Sequence, residues 1–312
     1  MKTILTKSSK TASKFIKSSR LVAFPTETVY GLGANVFDEY AVKKIFKVKG
    51  RPFNNPLIVH ISDKKQIDIL SKDIPHTAKK IIKKFFPGPI TVILNKNEII
   101  SERVTAGLDT IAVRMPSSVI ARNFIKQCGV PIAAPSANLS GSPSPTSYLH
   151  VLQDFKGKIP CILLGPKSKY GLESTVVDCT VRIPAVLRPG VITLEELRKL
   201  DKRIKLKVGG KIKSPGQKYK HYSPKAKVKL IEKMKSPGET FAYIGLTSLN
   251  KNVKKNCKVY KVCKNETDYA KNLFSFFREC DDKDVKIIYA QKVKEKGIGL
   301  AIMNRLKKAS EN

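Results

Sequence analysis

From Leu21 to Leu200 short apolar runs alternate with stretches whose apolar residues recur at helical spacing, and that rhythm admits few architectures. Strands are predicted at Leu21–Phe24, Leu57–Ile61, Ile90–Leu94, Ile111–Met115, Pro131–Ala134, Cys161–Leu164, Ser174–Asp178 and Val186–Arg188. Amphipathic helices fall between several of them: Asp38–Lys49, with Val42, Ile45 and Phe46 on one face, and Thr77–Phe86, which runs into Pro87-Gly88-Pro89. Not every connection has room for a crossover helix, so the sheet is expected to be mixed rather than purely parallel. This α/β domain spans residues 1–201. Residues 202–226 read as a basic linker: from 202 to 231 there are eleven Lys or Arg and no acid, and Gly209-Gly210 and Ser214-Pro215-Gly216 bring turn chemistry without periodicity. A second βα rhythm occupies 227–312, with strands near Val228–Ile231, Phe241–Ile244 and Val285–Tyr289 and helices near Glu266–Cys280 and Ile298–Lys308. It predicts a smaller Rossmann-like domain.

Composition narrows the function classes. At 312 residues and 41% hydrophobic content the chain can bury a core in each of two domains, which excludes disorder along its length. No apolar run approaches the roughly 18 residues that span a bilayer, so an integral membrane protein is not expected. The formal net charge is +35, which invites a nucleic-acid reading through counterion release. Yet 49 of the 60 cations are Lys and only 11 are Arg, whereas base-reading and phosphate-forking surfaces favour Arg. A solvated Lys-rich surface therefore explains most of the charge, and a basic RNA-binding module without an activity of its own stands as the competing reading. The six cysteines form no CxxC pair and have no His at metal-ligand spacing, which fits the reduced thiols of a cytoplasmic protein. The first 26 residues hold six basic and no acidic residues, but only one is Arg, and they read as part of the fold rather than a transit peptide.

Nucleotide-binding loops of the standard kinds are missing: there is no G-x-x-x-x-G-K-[ST], no G-x-G-x-x-G after a strand, no H-E-x-x-H and no G-x-S-x-G. Three other segments could carry chemistry. Phe24-Pro25-Thr26-Glu27-Thr28-Val29-Tyr30-Gly31-Leu32-Gly33 places four polar side chains where the first strand ends; an ordinary strand-to-helix turn is the plainer alternative. Lys47-Val48-Lys49-Gly50-Arg51-Pro52 closes a helix, and there Lys49 and Arg51 suit a polyphosphate, while Lys47 suits only the helix dipole. Pro135-Ser136-Ala137-Asn138-Leu139-Ser140-Gly141-Ser142-Pro143-Ser144 offers hydroxyls, an amide and free N–H groups to phosphate oxygens. Arg114 sits inside an apolar strand and needs an anion, either a substrate carboxylate or an internal carboxylate partner.

The strings FPTETVYGLGAN, KVKGRPFNNPLIVH, IAVRMP, APSANLSGSPSPT, ESTVVD and VLRPG, in this order and spacing, resemble the threonylcarbamoyl-AMP synthase family. SPGQKYKHYSPKA, followed by a small α/β domain, resembles its long two-domain form rather than the single-domain one.

This resemblance implies a catalytic domain at 1–201, a twisted mixed α/β sheet with a concave basic cavity, and a nucleotidyltransferase that converts L-threonine, bicarbonate or CO2, and ATP to L-threonylcarbamoyladenylate and pyrophosphate. The product serves N6-threonylcarbamoyladenosine formation on tRNA, and a separate transferase completes that step, so direct tRNA contact is left open. By the same resemblance Lys49, Arg51, Ser136 and Asn138 are the catalytic set, holding the ATP phosphates. Asn55, Thr110, Ser144, Arg188 and Tyr222 match further ATP-contacting positions, and Thr28, His60, Arg114 and Ser174 match threonine-contacting ones. Tyr222, beside His221, is expected to fold over the cavity mouth as a lid that excludes water. No paired carboxylates suggest a resident metal, so Mg²⁺ is expected to arrive with ATP.

Overall fold

The structure, a computed structural model, describes residues 1–207, 222–234 and 239–311. Its first part is an eleven-stranded sheet: β1 Ile4–Thr6, β2 Val22–Phe24, β3 Gly31–Asn35, β4 Ile58–His60, β5 Ile90–Asn95, β6 Thr110–Arg114, β7 Ile132–Ala133, β8 Cys161–Leu163, β9 Thr175–Asp178, β10 Ala185–Arg188 and β11 Lys205–Leu206. Their spatial order is β1-β8-β2-β3-β7-β4-β6-β5-β9-β10-β11. Parallel pairs (β4 with β6, β5 with β9) alternate with antiparallel ones (β2 with β3, β5 with β6), so the sheet is mixed, as the short connections require.

Helices pad this sheet: α1 Ser9–Lys17, α2 Glu39–Lys49, α3 Ile67–Leu70, α4 His76–Phe85, α5 Glu102–Thr105, α6 Val119–Cys128, α7 Tyr148–Phe155 and α8 Leu194–Arg198. The basic N-terminal segment is β1 and α1, with Ser8 capping Thr11 N and Ala12 and Ile16 in the core; it belongs to the fold. Helix α2 is closed at both ends. Asp38 caps it through Ala41 N, and Gly50 ends it at a φ of 61°, a left-handed conformation that glycine adopts without strain. Between these ends Val42, Ile45 and Phe46 face the core, and Lys49 continues the same inward stripe. Lys47 points outward, exposed.

One expectation needs correcting. The segment after β2 is not a strand-to-helix turn: residues 25–30 link β2 to the antiparallel β3, with Phe24 paired to Gly31. Thr26 knots that connection, its hydroxyl donating to Val29 O at 2.6 Å and accepting from the backbone N–H groups of Thr28 and Val29. The cost of hiding polar backbone in a buried loop is thus offset locally.

The second part is a four-stranded parallel sheet, β12 Lys227–Ile231, β13 Phe241–Gly245, β14 Cys257–Val262 and β15 Ile287–Gln291, in the order β12-β15-β13-β14. Helices α9 Lys251–Lys254, α10 Glu266–Asp282 and α11 Ile298–Ser310 accompany it. Strand β14 is absent from the sequence-based expectation, because Lys258 and Lys261 interrupt its apolar run at the sheet edge. The core of this second domain takes in Val29 and Leu172 from the first, so the two parts share apolar surface. They approach closely at Gly171, where φ is 72° and an added Cβ would stand 2.4 Å from Lys271 O. His221 and the glycine and proline turns at 209–216 lie outside the described residues.

Candidate active site

Strand pairing and helix phase gather distant residues into one cleft. His60 and Arg114 end the parallel strands β4 and β6 and are register partners, so they stand side by side. Ser174 precedes β9, and Arg188 ends the neighbouring β10. Lys49 and Arg51 flank Gly50, and Ser136 and Asn138 follow β7. Tyr222 closes one wall.

Nine of the residues singled out from sequence therefore line a single cavity: Lys49, Arg51, His60, Arg114, Ser136, Asn138, Ser174, Arg188 and Tyr222. Four do not. Thr28 lies behind Thr26, their hydroxyls 2.9 Å apart. Asn55 is buried beneath Arg51, whose Nη2 donates to its carbonyl at 3.2 Å. Ser144 donates to Glu173 Oε1 at 2.5 Å. Thr110 starts the strand that Arg114 ends, on the same face but roughly 13 Å away along it.

Lys49 is the one buried lysine among the described residues. Its Nζ donates to Ser136 O at 2.7 Å and to Asn138 O, and Ser140 N donates back to Lys49 O. The helix end and the Ser/Asn loop are thereby laced together. Burial, reinforced by the charge of Arg51, pulls Lys49 well below the ordinary lysine value. Such a cation gains most from an incoming anion. The loop itself is fixed: Ser136 Oγ donates to Asn138 Oδ1 at 2.5 Å, and Asn138 Nδ2 donates to Leu139 O and Ser142 O, both at 2.8 Å.

On the opposite wall Arg114 Nη2 donates to Glu27 Oε1 at 2.6 Å, while its Nε has no hydrogen-bond partner. Of the two anions considered for this buried cation, the internal carboxylate is present, and it leaves part of the fork unused. His60 is buried against Phe24, edge to face at 5.7 Å; burial and the charge of Arg114 push it down to about 3, so its imidazole is neutral. Arg188 donates to Ser174 O and Oγ, each at 3.1 Å, and Ser174 Oγ lies 2.8 Å from Thr91 Oγ1. Tyr222 bonds Arg188, stacks on Phe274 at 5.4 Å and lies under the Arg305 guanidinium at 5.3 Å.

Sequence reasoning placed Glu27 among the polar side chains at the end of the first strand without pairing it to Arg114, and it passed over Glu173 as a site group. Both stand inside the motifs quoted above, and both carboxylates are buried.

Comparison with known proteins places this geometry. Residues 14–190 match the family model described as telomere recombination (Sua5/YciO/YrdC), and residues 192–311 match that of the threonylcarbamoyl-AMP synthase C-terminal domain. The threonylcarbamoyl-AMP synthase of Pyrococcus abyssi is 47% identical, with 96% of this chain and 93% of that protein covered. That of Bacillus subtilis is 42% identical over 96% and 92%. The crystal structure of P. abyssi Sua5 complexed with L-threonine superposes with a TM-score of 0.92 at 43% identity, covering 100% of this chain and 98% of that one. With both family models matched in tandem and nearly full-length identity to named synthases, the chain belongs to the threonylcarbamoyl-AMP synthase family, in its two-domain form.

Proposed function

We propose that this protein is a nucleotidyltransferase that makes L-threonylcarbamoyladenylate from L-threonine, CO2 or bicarbonate, and ATP, releasing pyrophosphate. The observation that carries the reading is one cavity holding two unlike binding kits: the buried Lys49–Arg51 pair beside the Ser136–Asn138 loop, and the half-used fork of Arg114 beside neutral His60.

In this reading Arg114 takes the threonine carboxylate, with His60, Ser174 and Thr28 shaping the amino-acid pocket. Lys49, Arg51, Ser136 and Asn138 hold the phosphates, and Arg188, Tyr222, Ser144, Asn55 and Thr110 complete the nucleotide subsite. The neutral amine of threonine adds to CO2 and gives up a proton, forming a carbamate. A carbamate oxygen then attacks the α-phosphorus and pyrophosphate leaves with the broken P–O bond's electrons. The protein contributes position and charge rather than a covalent nucleophile. Mg²⁺ would arrive with ATP and would be held mostly by phosphate oxygens and water, helping to neutralise the departing pyrophosphate.

The adenylate would pass to a separate transferase acting on tRNA. Among the described residues no helix is long and apolar enough to cross a membrane, and the buried free cysteines suit a reducing cytoplasm. Pyrophosphate release from ATP, bicarbonate and threonine tests the reading: it should depend on threonine and collapse in Lys49→Ala and Arg51→Ala. Turnover without threonine, or none with folded protein, rejects it.

A further inference from the structure

Six cations are buried among the described residues. Four of them, Lys49, Arg51, Arg114 and Arg188, line the cavity. The other two, Arg278 on α10 and Arg305 on α11, come from the second domain and turn their guanidinium groups into the first. Arg278 donates to Pro143 O at 2.6 and 3.1 Å and to the Asp154 carboxylate at 2.8 and 3.2 Å. Arg305, fully buried, donates through Nε to Glu173 Oε2 at 3.0 Å and through Nη1 to Pro189 O at 2.8 Å.

The targets are not arbitrary. Pro143 precedes Ser144, Pro189 follows Arg188, and the second oxygen of Glu173 accepts the Ser144 hydroxyl. Glu173 also lines the cavity, beside Arg188 and Tyr222. An uncompensated carboxylate there would repel a polyphosphate in a low-dielectric cleft, where like charges act strongly. Threonine, a zwitterion seated at Arg114, would feel that charge far less.

We infer that Arg305 is a positioning residue for the nucleotide subsite: it neutralises and aims Glu173, and through it Ser144, while its bond to Pro189 steadies Arg188. The second domain thus completes the site of the first. This rests on the proposed synthase reading, because it takes the ligand on that side to be ATP.

Calorimetric titration of the full chain with Mg·ATP, and separately with L-threonine, tests the assignment. Arg305→Gln should weaken ATP binding at least tenfold and leave threonine binding within about twofold. Glu173→Gln combined with Arg305→Gln removes both charges and should recover most of the ATP affinity, which a purely structural contact would not do. An unchanged ATP affinity in Arg305→Gln, equal losses for both ligands, or no recovery in the double variant overturns the inference. If Arg305→Gln does not fold, the double variant decides alone, by binding ATP within about threefold of wild type or failing to. A wild-type protein that binds neither ligand overturns the synthase reading instead, and is told apart by that result.

Discussion

Arg114 and Glu27 meet at 2.6 Å with side chains 4% and 5% exposed, a buried ion pair that orients the guanidinium before any substrate arrives. Burial pushes the Glu27 carboxyl up, but the charge and hydrogen bond of Arg114, with backbone donors, hold it below the ordinary value. A depressed carboxyl stabilises the fold above its unfolded value and loses that contribution as pH falls through its folded one. Glu27→Gln should therefore cost about 3 kcal/mol at neutral pH, the usual penalty for stranding one partner of a buried pair. Urea denaturation at neutral and acidic pH reads it, and the deficit should shrink in acid.

Lys49 yields a second expectation. Its low affinity for a proton in the free protein comes from burial and from Arg51, and the negative charge of phosphate oxygens in the cavity would offset both. ATP binding should then take up protons at alkaline pH, above the depressed value of Lys49, and weaken as pH rises. Calorimetry in buffers of different ionisation heat measures the uptake; Lys49→Met should abolish it along with most of the affinity.

Two buried histidines add to the acid sensitivity that Glu27 confers. His60 is pushed down to about 3 and His150 to about 4, in each case chiefly by burial. Both folded values lie below the unfolded one near 6.5, so stability is complete above that pH and declines as pH falls toward 3 or 4. Each group contributes up to about 1.4 kcal/mol per pH unit in that window. Denaturation midpoints across pH 4 to 7 should show the slope, made shallower in His150→Asn.

Tyr222 separates packing from polar contact. Tyr222→Phe keeps the stack on Phe274 but loses the bond to Arg188, so the KM for ATP should rise a few-fold with little change in Tm. Tyr222→Ala also empties a buried aromatic site and should cost about 3 kcal/mol. Equal effects of the two substitutions on Tm would show that the ring is not packed as described.

How much of this is legible in the sequence varies with the physics behind each element. Apolar runs such as Ile90–Leu94 and the stripe of α2 are plain, because burial on a regular face leaves a period. Strands β1 and β11 are not, since short edge strands with exposed residues have no such signature. In the site, Lys49 is legible twice, as a motif residue and as a cation on an apolar stripe. Arg305 carries the same signal, flanked on α11 by Ala301, Ile302, Leu306 and Ala309, yet sequence reasoning passed over it. Its partner Glu173 is 132 positions away, a distance no local pattern spans.

That separation has a consequence for what a damaged chain can do. Glu173 and Pro189 precede Arg305 by 132 and 116 positions, so a product truncated before α11 would retain the large sheet and the cavity lining it supplies. In it Glu173 would keep the Ser144 hydroxyl but lose its ion pair with Arg305. On the inference that Arg305 positions the nucleotide subsite, such a fragment should bind ATP more weakly than the whole chain, although every residue of the first domain that lines the cavity is still in it.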